Sequence, residues 1–194
     1  MTARPTSSRR LPPWLAELLR WVAPLLVILA ARSSLADHYI VPSGSMEPTL
    51  EVGDRLVVNK LAYDLRVPFT QVSLIRFGEP VRGDVAVFPS PEGPQILVKR
   101  VVAVPGDQVE VRGGKLWLNG QVAEGEAERV NLTYGGGPEL GPVTLPEGRY
   151  LVLGDNRGNS HDGRMFGLVE RERFLGRVDH LMVHQGRWGW FGRP

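Results

Sequence analysis

Two patterns of apolar and polar positions divide this chain. Near its start, Trp21 to Ala31 is an unbroken apolar run bounded by Arg20 and Arg32. Its eleven residues fall short of the ~20 that a membrane-spanning helix needs. Extended from Trp14 to Leu35 the run is long enough, but it then takes in Glu17, Arg20 and Arg32. Glu17 and Arg20 stand three apart, a spacing at which helical side chains can pair. Both arginines lie toward the ends, where long side chains reach back to headgroups, and Pro24 bends a membrane helix without forbidding it. After Asp37 the pattern changes to short runs between turn residues. Arg55–Asn59, Asp84–Phe88, Ile96–Val104, Gln108–Arg112, Arg149–Leu153 and Arg177–Val183 read as strands. Lys115–Leu118 and Gln121–Val122 flank Asn119-Gly120, the signal of a type I′ hairpin.

With no long amphipathic helix predicted after residue 36, the expected fold is mostly β. It would be an antiparallel β sandwich or barrel-like domain behind one N-terminal helix. The segment 124–146 is rich in Gly, Pro and Glu and is expected to be a surface excursion, with Gly135-Gly136-Gly137 its loosest point. The expected organisation is a basic tail over 1–13, an apolar helix over 14–36 and a β-rich domain over 37–194. The first 36 residues carry two readings. One is a retained membrane anchor. The other is a cleavable secretory signal, with Arg4, Arg9 and Arg10 before the apolar run and Ser34-Leu35-Ala36 as a small-x-small cut site. Under both, the basic flank keeps the N-terminus in the cytoplasm and the rest of the chain goes outside.

Composition narrows the chemistry. The 194 residues suffice for one domain with a real core. A net charge of +2, from 23 basic and 21 acidic residues, gives no argument for nucleic acid. The absence of cysteine excludes disulfides, zinc–thiolate sites and thiol catalysis. Glycine (23) and proline (16) favour turns and short elements.

Three places can carry chemistry, and each has a plainer reading. Pro42-Ser43-Gly44-Ser45-Met46-Glu47-Pro48 is a tight turn that can present a serine hydroxyl beside backbone N–H groups, the parts of a nucleophile and an oxyanion hole; it can equally be an ordinary Ser/Gly/Pro turn. Lys99 sits within Ile96–Val104, where both faces of a strand are apolar except for Lys99 and Arg100. A lysine forced among apolar neighbours has its charged form disfavoured and can then take a proton from serine near neutral pH; alternatively it snorkels from an edge strand or pairs with an acid. Gly154-Asp155-Asn156-Arg157-Gly158-Asn159-Ser160-His161-Asp162-Gly163-Arg164 gathers hydrogen-bonding and charged residues at a strand end, or is a solvated turn with local ion pairs. His161 and Asp162 also admit a Ser–His–Asp triad with Ser45.

Taken together and in order, these residues resemble type I signal peptidases. The likeness runs along most of residues 38–183 and is carried by PSGSMEPTL (42–50), GDRLVVNKLAY (53–63), RGDVAVF (82–88), VKRVVAVPGD (98–107) and GDNRGNSHDGR (154–164). The resemblance implies roles: Ser45 as nucleophile and Lys99 as general base. Ser43 would join the Ser45 backbone N–H as oxyanion donor, and Ser160 would orient the lysine. Asp155, Arg157, Asp162 and Arg164 would brace the site, and Tyr39, Val41 and Val98 would wall the substrate pocket. It implies no catalytic role for His161, and Arg100 is assigned none. Gly158 and Gly163 stand where many relatives carry Asp or Asn and Ser.

The resemblance further implies a retained anchor, no metal or cofactor, and exported preproteins cut after small-x-small (Ala-x-Ala) sites. A single-pass protein of the bacterial plasma membrane is expected, acting as a monomer, with signal peptides and the lipid bilayer as partners and no nucleic acid. The nine positions from Ala36 to Ser45 span at most ~30 Å, so the nucleophile stays near the bilayer. Other readings are a Ser–Lys peptidase dedicated to one partner, as in pilus or conjugation maturation, and a non-catalytic peptide-binding domain. A self-cleaving repressor is a further one, for which residues 1–36 are too short and apolar to supply the DNA-binding module.

Overall fold

The computed structural model describes residues 12–68, 70, 72–123 and 130–194; most of the basic tail and the start of the 124–146 excursion lie outside the described residues. Helix α1 (Pro13–Leu35) opens on two prolines, which suit a first turn that lacks N–H acceptors. The strands follow as β1 (Ala36–Ile40), β2 (Arg55–Asn59), β3 (Asp64–Arg66), β4 (Ser73–Arg76), β5 (Val85–Pro89), β6 (Ile96–Ala103), β7 (Gln108–Arg112), β8 (Lys115–Leu118), β9 (Gln121–Val122), β10 (Leu140–Thr144), β11 (Arg149–Leu153), β12 (Val169–Glu170), β13 (Gly176–His184) and β14 (Arg187–Phe191), with a short helix α2 (Gly163–Phe166) after β11.

The main sheet runs β1-β2-β13-β5-β6-β11-β12, with β14 added to β13. A second sheet runs β10-β7-β8-β9, and β3 pairs β4 as a ribbon. Every pairing of these strands is antiparallel. The Asn119-Gly120 hairpin forms with both residues at positive φ, as a type I′ turn requires. Strand β5 begins one residue later than its hydrophobic pattern suggests, because the Asp84 carboxylate turns inward and accepts from Tyr63 Oη at 3.0 Å.

Two parts of the 124–146 excursion are not loose. Leu140–Thr144 forms β10 and packs Leu140 and Val143 against the core. A Cβ on Gly136 would overlap the Gly113–Gly114 backbone and one on Gly137 the Arg157 carbonyl, so these glycines are close contacts and not a loose point.

Three apolar clusters fill the domain. Val41, Met46, Leu50 and Leu56 belong to the first, Phe88, Val101, Tyr150 and Phe174 to the second, and Val109, Leu116 and Leu151 to the third. At about 1.5–3 kcal/mol for each fully buried large side chain, these clusters hold the strands that carry the polar loops. Strand β6 runs between β5 and β11 and touches all three: Val98 packs on the first, Leu97 and Val101 in the second, Val102 and Ala103 in the third. Lys99 sits in the middle of that central strand, opposite Ala86.

Helix α1 meets the domain at β1, at the turn Lys60–Ala62 and at β3. Trp14, Leu18, Trp21, Leu25, Leu26 and Ile28 along it are exposed. Among the described residues, no helix is long and apolar enough to cross a membrane.

Candidate active site

The 42–50 turn, the middle of β6 and the 154–164 loop converge. Ser45 lies in a single 3₁₀ turn, Gly44–Met46, entered from an extended Ser43. Its neighbour Met46 is buried in the first cluster, which pins the turn to the core. From the other side, Asn156 N–H donates to the Ser45 carbonyl at 3.1 Å and Asn156 Nδ2 to the Gly44 carbonyl at 3.0 Å. The hydroxyl of Ser45 is left facing Lys99 Nζ, 2.5 Å away, and Ser43 Oγ, 3.4 Å away.

Lys99 is 3% exposed and forms no ion pair among the described residues. Burial, which penalises the ammonium, lowers its pKa from 10.5 to about 8. Asp162 and Asp155 pull the other way, and Arg164 adds to the lowering. The two acids have little hold on the lysine because each is closed on an arginine. Arg100 grips Asp155 with two hydrogen bonds, Nε to Oδ1 at 3.0 Å and Nη2 to Oδ2 at 2.7 Å, while Thr49 Oγ1 donates to Oδ2 at 2.6 Å. Arg164 grips Asp162 at 2.8 Å through both Nε and Nη2, and Gly154 N–H donates to Asp162 Oδ2 at 3.0 Å. Burial alone would raise the Asp162 carboxyl, but the hydrogen bonds and charge of Arg164 outweigh it and hold the group below the ordinary carboxylate range.

The remaining loop residues bind backbone. Arg157 donates to the carbonyls of Gly154 at 3.2 Å and Gly114 at 2.5 Å, and Arg164 also reaches those of Gly136 and Arg157. This wiring depends on close approach. A Cβ on Gly154 would overlap both Ser160 Oγ and the Ser45 carbonyl, so glycine alone lets the serine turn and the loop touch. Likewise a Cβ on Gly158 would overlap the Tyr134 carbonyl, so glycine at that position accepts the close approach of Tyr134 and Gly135.

Several expectations are placed differently. Ser160 Oγ is buried but meets hydrogen-bond geometry with no described group; its hydroxyl turns toward Gly154 and favours the ionised form of Asp162, and it does not bond Lys99. His161 does not assemble a triad: its Nε2 meets Glu92 Oε2 at 2.6 Å, and both Asp162 oxygens are taken by Arg164 and Gly154. Tyr39, Val41 and Val98 sit together at the first core cluster, with Val41 fully inside it. Asn156, Arg100 and Thr49 are residues to which sequence reasoning gave no role; a GDN sequence after a strand and the Lys99-Arg100 pair were the available signals.

A cleft of about 590 Å³ opens over Ser45 and Lys99, bounded by Ser43, Leu97, Asn159, His161 and the turn Ser90–Gln95. A second hollow of about 640 Å³ borders Arg82, Arg100, Asp155 and Arg157. Its charges are already committed, Arg82 to Asp107 and Arg100 to Asp155, and it lacks a nucleophile. No cluster of metal-binding side chains occurs among the described residues.

The family model described as signal peptidase, peptidase S26, matches residues 15–183. Signal peptidase I of Pseudomonas aeruginosa is 39% identical over 203 residues, covering 86% of this chain and 72% of that protein. Probable signal peptidase I-2 of Synechocystis sp. is 34% identical over 185 residues, covering 90% and 78%. Signal peptidase I of Bacillus licheniformis is 35% identical over 174 residues, covering 82% and 86%. The serine, the buried lysine and the braced loop all lie within residues 15–183, which the family model matches: the chain belongs to the signal peptidase family, peptidase S26.

Proposed function

We propose that the chain is a serine endopeptidase that removes signal peptides from exported preproteins, with Ser45 as nucleophile and Lys99 as its base. The observation that carries this is the 2.5 Å approach of Ser45 Oγ to a buried lysine amine that has no counter-ion among the described residues. An amine with a pKa of about 8 is neutral in roughly a tenth of molecules at pH 7 and in half at pH 8. The neutral amine takes the Ser45 proton as Oγ attacks the scissile carbonyl. Ser43 Oγ, 3.4 Å from the nucleophile, and the Ser45 N–H receive the oxyanion. The lysine ammonium then protonates the leaving amine, and the acyl-enzyme is released when Lys99 activates water. Asp155, Arg157, Asp162 and Arg164 hold the loop, and Ser160, whose hydroxyl favours the ionised form of Asp162, is assigned as a positioning residue for the lysine.

Strand β1 ends the main sheet and leaves an edge to which an extended substrate can add. Tyr39 and Val98, partly buried against the first cluster with Val41 beneath them, are assigned as a shallow apolar wall that favours small residues at the first and third positions before the cut. Helix α1 is about 34 Å long at its 23 residues; although Glu17, Arg20 and Arg32 keep it less apolar than an ordinary span, it is assigned as the anchor of a single-pass protein with its N-terminus in the cytoplasm. Glu17 and Arg20, 3.9 Å apart, would neutralise each other at the interface, and the exposed Leu25, Leu26 and Ile28 would face lipid.

The test is cleavage of a preprotein carrying an Ala-x-Ala site by the full chain in lipid, with product ends read by mass spectrometry. Cutting after the second alanine by wild type and not by Ser45→Ala is expected. Equal cutting by Ser45→Ala removes the serine from the mechanism. A pellet that releases the protein on alkaline extraction would contradict the anchor.

A further inference from the structure

The mechanism leaves one pair in the cleft unused. Glu92 lies in the turn between β5 and β6, which Ser90 holds in shape: its N–H donates to the Gln95 carbonyl at 2.7 Å and its Oγ accepts from Glu92 N–H at 3.2 Å. His161 comes from the other wall, between Ser160 and Asp162, and its ring packs against Phe166 with centroids 5.7 Å apart. The two side chains meet across the cleft rim at 2.6 Å, each about half exposed. An ionised carboxylate only accepts, so in this contact His161 Nε2 is the donor to Glu92 Oε2.

The cleft has a direction. The proton that Lys99 takes from Ser45 must next reach the leaving amine, so the chain after the cut passes on the lysine's side of the nucleophile. Lys99 lines this cleft, as do Glu92 and His161. Tyr39, Val41 and Val98, assigned to the residues before the cut, do not line it; they belong to the first core cluster. The charge there is one-sided. Among the lining residues Glu92 is the one carboxylate, and the lysine is neutral when it takes the serine proton.

We propose that Glu92, held at the rim by His161, is a specificity-determining residue for the leaving-group side of the substrate, favouring a basic and disfavouring an acidic residue at the first positions after the cut. The inference rests on the peptidase reading above.

The test uses three preproteins alike in their Ala-x-Ala site and differing only in the second residue after it: Lys, Ser or Glu. Initial rates are compared at about pH 8, where about half of Lys99 is neutral. Wild type should prefer Lys over Glu by about two- to fivefold in kcat/KM, the range of a half-exposed charge pair, and added salt should shrink the ratio. In Glu92→Gln the ratio should fall to near one, and in Glu92→Lys it should invert; a ratio within one variant is independent of how much of it folds. His161→Ala, which keeps the carboxylate but frees it, should lower the ratio less than Glu92→Gln does. A wild-type ratio of one with the Ser substrate cut, or a ratio unchanged in Glu92→Gln, overturns the inference and leaves the peptidase reading standing. No cleavage of the Ser substrate by wild type overturns that reading, and the inference with it.

Discussion

Two buried cationic regions of this domain behave in opposite ways. Beneath the β3–β4 ribbon, Arg171 bonds Asp64 at 3.2 Å and Glu79 at 2.5 Å, and Arg66 joins Asp64 at 3.2 Å. Burial there would lower the arginine, but Asp64 and Glu79 outweigh it and its pKa rises. At the serine turn Lys99 is buried just as deeply, and its pKa falls to about 8. Burial penalises both cations; at Arg171 it is outweighed by paired carboxylates and at Lys99 it is not. Asp155 and Asp162, the acids near enough to compensate Lys99, are each gripped by an arginine of their own. The first region spends its carboxylates on its cations and is structural. The second withholds them and leaves a lysine able to be neutral, the property a base needs.

The largest break of this contrast is Lys99→Met. Cleavage should fall to background, a loss of about 10⁴-fold or more given what removing one member of a catalytic unit costs. Stability should move the other way. The folded lysine titrates at about 8, below its ordinary value of 10.5. Below pH 8 both states are protonated and the folded one bears the desolvated charge. Between 8 and 10.5 the unfolded state holds more protons, so wild-type stability rises with pH. Lys99→Met should therefore be more stable near pH 7, by up to about 3 kcal/mol, with the gain shrinking toward pH 10. A variant less stable at pH 7 means the lysine is not strained by burial.

Asp162→Asn comes next. It leaves Arg164 buried without its carboxylate and should cost about 3–5 kcal/mol in thermal or urea unfolding. It also removes a group that raises the Lys99 pKa, so the rising limb of the pH–rate profile should move to lower pH. A limb shifted upward would put Asp162 in some other role. A smaller effect is expected from Ser160→Ala. If the free hydroxyl positions the lysine, kcat should drop by about tenfold, well short of losing the base. Folding should be unharmed or improved, because a buried hydroxyl without a partner is removed. Loss of stability with kcat unchanged would make Ser160 a packing residue. The smallest effect on cleavage belongs to Asp64→Asn. It should lower stability and leave the pH–rate profile where it is, since the structural region has no line to Lys99.

Much of this arrangement is legible in the sequence, and the rest is not, for identifiable reasons. Gln108–Arg112 and Lys115–Leu118 alternate cleanly because one face packs on the third cluster, and Asn119-Gly120 encodes its turn locally. Lys99 stands out because everything within two residues of it except Arg100 is apolar. Strand β1 escapes because Asp37 and His38 interrupt it and only its pairing with β2 makes it a strand. Strand β10 escapes because Gly141-Pro142 looks like a break. The ladder with β7 absorbs it as a register shift between Leu140 and Val143. The roles of Asn156, Thr49 and Arg100 are tertiary. Each acts on a partner about 50 or more residues away, and no local pattern carries that. The Glu92–His161 pair, 69 residues apart, is hidden for the same reason.

The central claim is that Lys99 is neutral enough to act because it is buried without a counter-ion, and it can be observed directly. The chain has three lysines, at positions 60, 99 and 115. Isotope-labelled lysine therefore gives a spectrum simple enough for an NMR titration, with Lys99→Met identifying the signal of interest. A Lys99 resonance titrating near pH 8, in step with the rise of kcat/KM for an Ala-x-Ala preprotein, is the predicted result. A Lys99 resonance still titrating in the ordinary lysine range, about 10.4, would contradict the account.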